Sequence, residues 1–107
     1  MADPTSRDVS LERAVALLAA MAHPMRFAVL LRLHREGPAP VGTLIEELGV
    51  EQSALSHQLK LLRTTRLVVG ERQGRQVIYR LHDNHIGHIV EDTIRHAEEE
   101  GAVDLSD

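Results

Sequence analysis

Histidines and carboxylates recur near the C-terminus at spacings that place them on one side of a helix. The residues that share this side are His85, His88, Asp92, His96 and Glu99. At about 100° per residue they fall within roughly 80° of one another, beside an apolar stripe. Imidazoles and carboxylates suit Zn(II), Ni(II) and Co(II), and a chain with no cysteine cannot form a thiolate site. The segment therefore predicts a helix that packs on one face and holds a metal ion.

The spacing within this helix limits how an ion can be bound. His85 and His96 are eleven residues apart, which is about 16 Å along a helix. One ion cannot contact both residues of the same chain. The ligands are therefore expected to form two half-sites, each completed by a second copy. His88 and Asp92 lie between the half-sites and are expected to pair with each other or to act as reserve ligands.

Length and composition bound the type of protein. The 107 residues suffice for one domain, here predicted as residues 1–107 with flexible tails at 1–9 and 101–107. Apolar content is 43% but aromatic content only 2%, so the core must be aliphatic and a homodimer is favoured because pairing adds buried surface. The longest apolar run, Ala14–Ala22, is too short for a transmembrane span. A cytoplasmic protein without a membrane partner is expected.

Charge is unevenly distributed along the chain. The net charge is −4, yet residues 52–82 carry six basic side chains against one acidic side chain, a net of +5. Residues 83–107 carry one basic against eight acidic side chains. A basic block inside an acidic protein predicts a local contact with a polyanion.

Four helices are predicted before this block ends. The first follows Ser10, and the second runs from Pro24 to Arg35. A capping-box pattern, Thr43–Glu46, is expected to open the third, which ends at Gly49. The fourth, Gln52–Thr64, follows after a tight turn, and its apolar stripe has the spacing of a buried face. Two short helices joined in this way are typical of a helix-turn-helix.

A hairpin and a final helix complete the predicted fold. Extended segments at Leu67–Val69 and Val77–Leu81 flank a tip at Gln73–Gly74. Asp83 is expected to cap the last helix, which ends near Gly101. The predicted fold class is mainly α with a small β-hairpin wing, with four helices, the hairpin and a fifth helix forming a winged helix-turn-helix.

The outer side of the fourth helix carries side chains that read base edges and phosphates. On its own, such a polar face is the ordinary solvated side of an amphipathic helix. The preceding helix, the tight turn and the basic hairpin favour double-stranded DNA instead. The predicted DNA contacts are Gln52, Ser53, Ser56, His57, Gln58, Lys60 and Arg63 on the helix, with Arg72, Gln73 and Arg75 on the wing.

Three stretches resemble the ArsR/SmtB family of winged helix-turn-helix repressors. They are the helix-four motif at 53–63, the wing motif at 73–79 and His23-Pro24-Met-Arg26. The resemblance covers about residues 11–100. It implies a homodimer that binds an operator palindrome in its metal-free state and responds to a ligand.

The resemblance also implies which metal site is present. Family sites for arsenic, cadmium or lead need cysteine, which this chain lacks. The site between the last helices of a dimer uses an Asp-x-His pair. A second pair, His-x2-His or His-x2-Glu, begins eleven residues after the first histidine. Asp83, His85, His96 and Glu99 match the zinc-sensor version of this pattern. In those sensors a backbone carbonyl after the recognition helix couples the site to DNA, and the matching residue is Arg66.

Three points stay open from the sequence. Four ligands suit Zn(II), yet residues 67–72 and the segment opening at Glu51 also resemble nickel and cobalt sensors of the family. His82 and His88 are reserve ligands, although His82 is expected to end a strand and point elsewhere. Regulation is expected as repression relieved by metal. The alternatives are a regulator with a weak or vestigial metal response, acting as an activator or with a partner protein, and a metal-binding dimer that does not read DNA.

No catalytic constellation is found. Ser53 and Ser56 lie beside His57 on one helix, but no acid orients the imidazole and no phosphate-binding loop is present. The chain is therefore not expected to be an enzyme.

Overall fold

The computed structural model describes residues 9–99, which form five helices and a small antiparallel sheet. In chain order the elements are α1 (Val9–Met21), α2 (Pro24–Glu36), β1 (Ala39–Pro40), α3 (Val41–Leu48), α4 (Gln52–Thr64), β2 (Val68–Gln73), β3 (Gln76–Leu81) and α5 (Asn84–Glu99). The predicted winged helix-turn-helix is confirmed. The proposed tails lie outside the described residues, except for Val9, which is the first residue of α1. The predicted end of the last helix near Gly101 also lies outside the described residues.

An aliphatic core holds the helices against the sheet. Its largest fully buried side chains are Val29, Leu30, Leu44, Leu55, Leu59, Leu62, Leu67 and Val90. Each such side chain stabilises the fold by roughly 1.5–3 kcal/mol relative to exposure. The predicted stripe of α4 lies in this core. In contrast, Met21 is the only buried residue of α1, so most apolar side chains of this helix do not pack into the core of their own chain.

The sheet has three strands in the order β1-β3-β2, one strand more than the predicted hairpin. Ala39 pairs with Tyr79 and Pro40 with Ile78, which places the two-residue β1 beside β3. The hairpin itself aligns Gln73 with Gln76, so its tip is Gly74 and the following arginine, one residue later than predicted. Gly74 has a φ of 66°, a conformation that glycine adopts without strain.

The capping box predicted for α3 is wrong. The helix begins at Val41, directly after Pro40, whose extended backbone (φ −74°, ψ 160°) belongs to β1. Thr43 and Glu46 therefore lie inside the helix and no side chain caps it. A capping box would make Thr43 the N-cap and Leu44 the first helical residue, so the helix starts three residues earlier than the local pattern indicates, where β1 ends. The other end is as predicted, because Gly49 adopts the left-handed conformation (φ 63°, ψ 40°) that ends helices.

The packing of α2 against α5 positions the helix that carries the candidate ligands. Both guanidinium nitrogens Nε and Nη2 of Arg35 donate to the carboxylate of Glu91 at 2.8 Å. The hydrogen bond from Arg35 lowers the pKa of the Glu91 carboxyl, and that of Arg35 is raised in return. A turn away, Gly87 leaves room for His34: a Cβ at this position would lie 2.2 Å from Nδ1 of His34.

Replacing Gly87 with alanine is expected to destabilise the fold by about 1–2 kcal/mol. Alanine favours a helix by about 1 kcal/mol over glycine. The new methyl group would overlap three ring atoms of His34 and force His34 and α5 apart, which places the cost of overpacking in the upper part of its usual range, roughly 2–3 kcal/mol. Chemical denaturation measures the change in unfolding free energy. Gly42→Ala is the matched control, because a Cβ there meets nothing within 4 Å, and it should be neutral or stabilising. Equal stabilities of Gly87→Ala and wild type would contradict the close packing.

Within residues 9–99, no single helix is long and apolar enough to cross a membrane. Taken together, α1 and α2 are long and apolar enough, but the two helices are bent by 95° at the break between them.

Candidate metal and nucleic-acid sites

Asp83 and His85 lie where the chain leaves β3 and enters α5. Oδ1 of Asp83 accepts a hydrogen bond from the Ile86 amide at 3.2 Å, so this carboxylate caps the helix as predicted. Its second oxygen, Oδ2, lies 3.7 Å from Nδ1 of His82. His85 is exposed in the first turn of α5. Capping thus holds the Asp83 carboxylate in place while one of its oxygens stays available beside an exposed imidazole.

His96 and Glu99 lie on the last described turn of α5, and both are exposed. Because α5 is one unbroken helix from Asn84 to Glu99, His85 and His96 are separated by about 16 Å of helix rise. In the described part of the chain, no three histidine or carboxylate side chains gather closely enough to hold a metal ion. One chain therefore presents two separate pairs of candidate ligands.

The two reserve histidines have neighbours that the sequence did not predict. His82 does not point away from the site: it lines the same groove as Asp83 and His85, and its Nδ1 lies 3.7 Å from Oδ2 of Asp83. The predicted pairing of His88 with Asp92 is also wrong, since no ion pair joins these two described residues. The ring of His88 instead meets that of His34 edge to face, with 6.0 Å between centroids.

An apolar groove of about 900 Å³ separates α1 from α5. Large apolar side chains that line it remain exposed, including Leu18 at 52% and Ile89 at 40% of their surface. Val15, about one turn before Leu18 on the same face of α1, is 58% exposed. Asp83, His85 and the neighbouring His82 line its polar end. Contiguous apolar exposure of this kind marks a contact surface, and here the surface is continuous with one pair of candidate ligands.

The outer face of α4 is open to solvent over its full length. Leu55, Leu59 and Leu62 hold the helix to the core, which turns the polar residues outward. Six of the seven predicted contacts on this helix are exposed, namely Gln52, Ser53, Ser56, His57, Lys60 and Arg63. An exposed helix of this polarity can enter a major groove.

Gln58 is the exception among the predicted contacts on α4. It is half-buried and faces α2, where its Oε1 accepts a hydrogen bond from Nη1 of Arg26 at 2.8 Å. The Nε of Arg26 in turn donates to the Ala20 carbonyl at 2.5 Å. The structure thus places Gln58 in a link from α4 to α2 and the end of α1, and away from the outer face.

The wing presents Arg72, Gln73 and Arg75 as exposed side chains. Arg80, which adds to the basic block in the sequence, donates from Nε to Glu71 across the hairpin at 3.0 Å. This pairing largely cancels one charge of the block. The positive charge available on this side of the molecule therefore comes from the tip of the wing and from Lys60 and Arg63 on α4.

A cleft of about 600 Å³ lies between α3, α4 and the wing, and sequence reasoning missed its walls. Thr43 and Gln76 line it together with two predicted contacts, Ser56 and Arg75. The sequence pattern indicates that Thr43 caps a helix, and so it did not predict that Thr43 lies beside α4. The informative signal is Pro40, because proline has no amide to donate and a fixed φ, which suit it to a helix boundary and here place the start before Thr43.

Arg66, the predicted coupling residue, joins α4 to β2 in a left-handed conformation with φ of 63°. Its amide donates to the Arg63 carbonyl at 3.0 Å, and the Leu67 amide donates to the Leu62 carbonyl at 2.9 Å. Glycine usually fills such a position after a helix, so the sequence did not reveal it. Arg66 also lines the apolar groove, which brings the end of α4 beside Asp83 and His85.

A short helix, a tight turn, an exposed polar helix and a basic hairpin define a winged helix-turn-helix DNA-binding protein. A family model described as "Helix-turn-helix domain" matches residues 21–71. The HTH-type transcriptional regulator NmtR of Mycobacterium tuberculosis is 48% identical over 81 residues, which is 76% of this chain and 67% of that protein. The transcriptional repressor SmtB of the same organism is 44% identical over 97 residues, covering 91% and 70%.

The fold agrees with these relatives. The solution structure of apo-NmtR superposes with a TM-score of 0.73 at 37% identity, covering all of this chain and 93% of the other. The chain belongs to the ArsR/SmtB family of metal-sensing transcriptional regulators. Because the relatives are regulators, the prediction that it is not an enzyme is confirmed.

Proposed function

We propose that the chain forms a homodimer whose metal-free state binds operator DNA and whose affinity for DNA falls when Zn(II), Ni(II) or Co(II) binds between its α5 helices. The observation that carries this proposal is the separation of two ligand pairs on one unbroken helix. Asp83 and His85 are at one end, and His96 and Glu99 are at the other. In an antiparallel pair of α5 helices, each pair meets its complement from a second copy, which gives two equivalent sites.

The exposed apolar groove supports the homodimer. An isolated chain leaves Val15, Leu18 and Ile89 largely in water, and covering such side chains supplies the free energy that association requires. The groove ends at Asp83 and His85, so a second copy seated there brings its own α5 to the half-site. The same contact thus buries apolar surface and completes the ligand set.

The donor set fits a divalent transition metal. Two imidazoles and two carboxylates give nitrogen and oxygen ligands, for which a four-coordinate Zn(II) site is the simplest match. When bound, the metal would join two chains and so fix their relative position. The resemblance to nickel and cobalt sensors keeps Ni(II) and Co(II) within the proposal.

Arg66 supports a route from the metal site to DNA. A histidine ligand needs a partner for its second ring nitrogen, and the resemblance assigns that role for His96 to the Arg66 carbonyl. Arg66 lies beside Asp83 and His85, the half-site that His96 of a second copy would join. Because Arg66 directly follows α4, a hydrogen bond there would bias the position of the recognition helix.

Replacing Arg75 with glutamine is expected to weaken DNA binding about equally for all sequences and to reduce its salt dependence. Each lost phosphate contact should lower the slope of log affinity against log salt by about 1. Fluorescence anisotropy between about 50 and 200 mM salt measures this slope. The control is the double variant Glu71→Gln/Arg80→Gln, which removes a neutralised pair from the same hairpin. An unchanged slope for Arg75→Gln would exclude the wing from the phosphate contacts.

A metal-binding dimer that does not read DNA would show no salt-dependent affinity for duplex DNA. A salt-dependent shift with wild-type protein therefore separates the two functions. The exposed polar face of α4 and the cleft beside the wing favour the regulator.

A further inference from the structure

One guanidinium connects three helices at the corner where α1 meets α2. Arg26 lies in the first turn of α2, and its Nε donates to the Ala20 carbonyl of α1 at 2.5 Å. Its Nη1 donates to Oε1 of Gln58 on α4 at 2.8 Å. We propose that Arg26 is a positioning residue, which fixes the direction of α1 relative to α4 and thereby sets the spacing of the two recognition helices on DNA. This role rests on the homodimer of the proposed function.

The direction of α1 needs such a constraint. Over the length of this helix, Val9–Met21, only Met21 is buried, so the core of the same chain holds α1 mainly at its C-terminal end. There the chain bends by 95° into α2. The Ala20 carbonyl is one of the last four of α1, which have no partner within the helix. Arg26 supplies that partner with a cation, which is favourable at a helix C-terminus. The bond therefore holds the end about which α1 would otherwise rotate.

Gln58 connects the same cation to the recognition helix. Both side chains are partly buried, and a hydrogen bond from a charged donor in such a place is stronger than one between neutral, solvated groups. A guanidinium is planar, so its Nε and Nη1 donors point in fixed directions relative to each other. A rotation of α4 relative to α1 must therefore bend or break one of the two bonds.

The angle between α1 and α4 matters because the two helices have different tasks. The exposed apolar side chains of α1 lie on the proposed dimer surface, whereas the outer face of α4 is the proposed DNA contact. Recognition helices of a dimer must reach half-sites about 34–36 Å apart. A change of this angle occurs in both copies and moves the two α4 helices relative to each other. With both bonds of Arg26 intact, one spacing of half-sites should be preferred.

Binding to palindromes with altered spacers tests this role. The starting DNA is the palindrome that wild-type protein protects in a footprint of DNA upstream of its own gene, and base pairs are added or removed singly at its centre. Each base pair moves a half-site by about 3.4 Å and turns it by about 34°. Fluorescence anisotropy measures the affinity for each spacer and for an isolated half-site, and wild type should prefer one spacer.

Arg26→Lys keeps the charge but loses the planar fork. It should bind the preferred palindrome at least about tenfold more weakly than wild type, with less difference between spacers and a half-site affinity within about twofold of wild type. Gln58→Leu keeps the approximate size of the side chain and removes the acceptor, so it should change the spacer profile in the same way. Because the two residues act through one link, the double variant should be no weaker than either single variant.

Arg32→Lys is the matched control. Arg32 lies on the same helix, but its guanidinium bonds to Glu47 on α3, so this variant should keep the wild-type spacer profile. If Arg26→Lys does not fold, Gln58→Leu carries the test alone.

An unchanged spacer profile in the folded variants would overturn the role of Arg26. Equal losses on the palindrome and on the isolated half-site would also overturn it, because they would indicate a direct DNA contact by Gln58 or a general loss of binding. A wild-type protein that protects no palindrome, or that binds an isolated half-site as tightly as the palindrome, would instead contradict the proposed function on which this role rests. The two failures are therefore distinguishable.

Discussion

Replacing His96 with asparagine is expected to abolish the effect of metal on DNA binding while leaving the metal-free affinity for DNA unchanged. His96 is exposed at the far end of α5, so the metal-free state should tolerate the change. Asparagine keeps a polar group but lacks the second ring nitrogen. The variant should retain some metal binding through Asp83, His85 and Glu99, without the hydrogen bond to Arg66 that transmits it.

The size of this effect follows from the usual strength of coupling between sites. Coupling free energies of about 1–3 kcal/mol correspond to roughly 5–150-fold changes in affinity. Wild type should show a change of that size on adding metal, and His96→Asn less than about twofold. Fluorescence anisotropy of labelled operator DNA with and without Zn(II) measures both.

A matched control is available beside the other half-site, at His82. His82→Asn removes another exposed histidine that lies beside Asp83 but outside the proposed ligand set, and it should respond to metal like wild type. If His96→Asn releases DNA with metal as wild type does, the route through Arg66 is wrong. If His82→Asn loses the response, the ligand set itself needs revision.

Replacing Val15 with aspartate is expected to prevent dimerisation and to lower operator affinity by roughly 10²–10⁴-fold. Val15 is 58% exposed on α1, so the fold of the single chain should survive. In a symmetric interface the change places a carboxylate on each side of a surface that must lose water. A single chain contacts one half of a palindrome, and losing the second contact removes the avidity of two linked modules.

Sedimentation velocity measures the oligomeric state, and anisotropy measures DNA affinity. Val15→Thr is the control, because it keeps the shape of the side chain without adding a charge, and it should weaken the dimer much less. A Val15→Asp protein that stays dimeric would place the interface elsewhere. A monomer that binds operator DNA as tightly as wild type would contradict the role of the dimer in DNA binding.

The elements that depend on local pattern were predictable from sequence. The bounds of α4 match the prediction at both ends because a tight turn precedes it and Leu55, Leu59 and Leu62 repeat at helical spacing. The capping role of Asp83 was predictable for the same reason. Both features depend on residues within a few positions of each other.

Features that depend on distant contacts were not predictable. β1 is only two residues long and exists because Ala39 pairs with Tyr79, a partner forty residues later. This pairing moved the start of α3 and made the capping-box prediction wrong. The contact of His34 with His88 likewise depends on the packing of α2 against α5, which a helical pattern on either segment does not reveal. Arg66 was a candidate only through the family resemblance, and its left-handed backbone has no signal in the residue type.

The candidate site divides along the same line. The family resemblance predicted four ligands. Their distribution over two copies followed from the sequence, since an eleven-residue step on a helix has a fixed length. It did not predict that Gln58 faces Arg26, because both are polar residues that could equally face solvent. Tertiary packing decides which polar residues of α4 face solvent and which contact α2, and a helical pattern alone does not show this.

The most direct test of the central proposal is a titration of metal into the complex of wild-type protein and labelled DNA from upstream of its own gene. Zn(II), Ni(II) and Co(II) are added in turn while fluorescence anisotropy follows the bound fraction. At least one of these metals should release the DNA, with a change in affinity of roughly 5–150-fold. Constant anisotropy with all three metals would contradict metal sensing, while the DNA-binding function would remain.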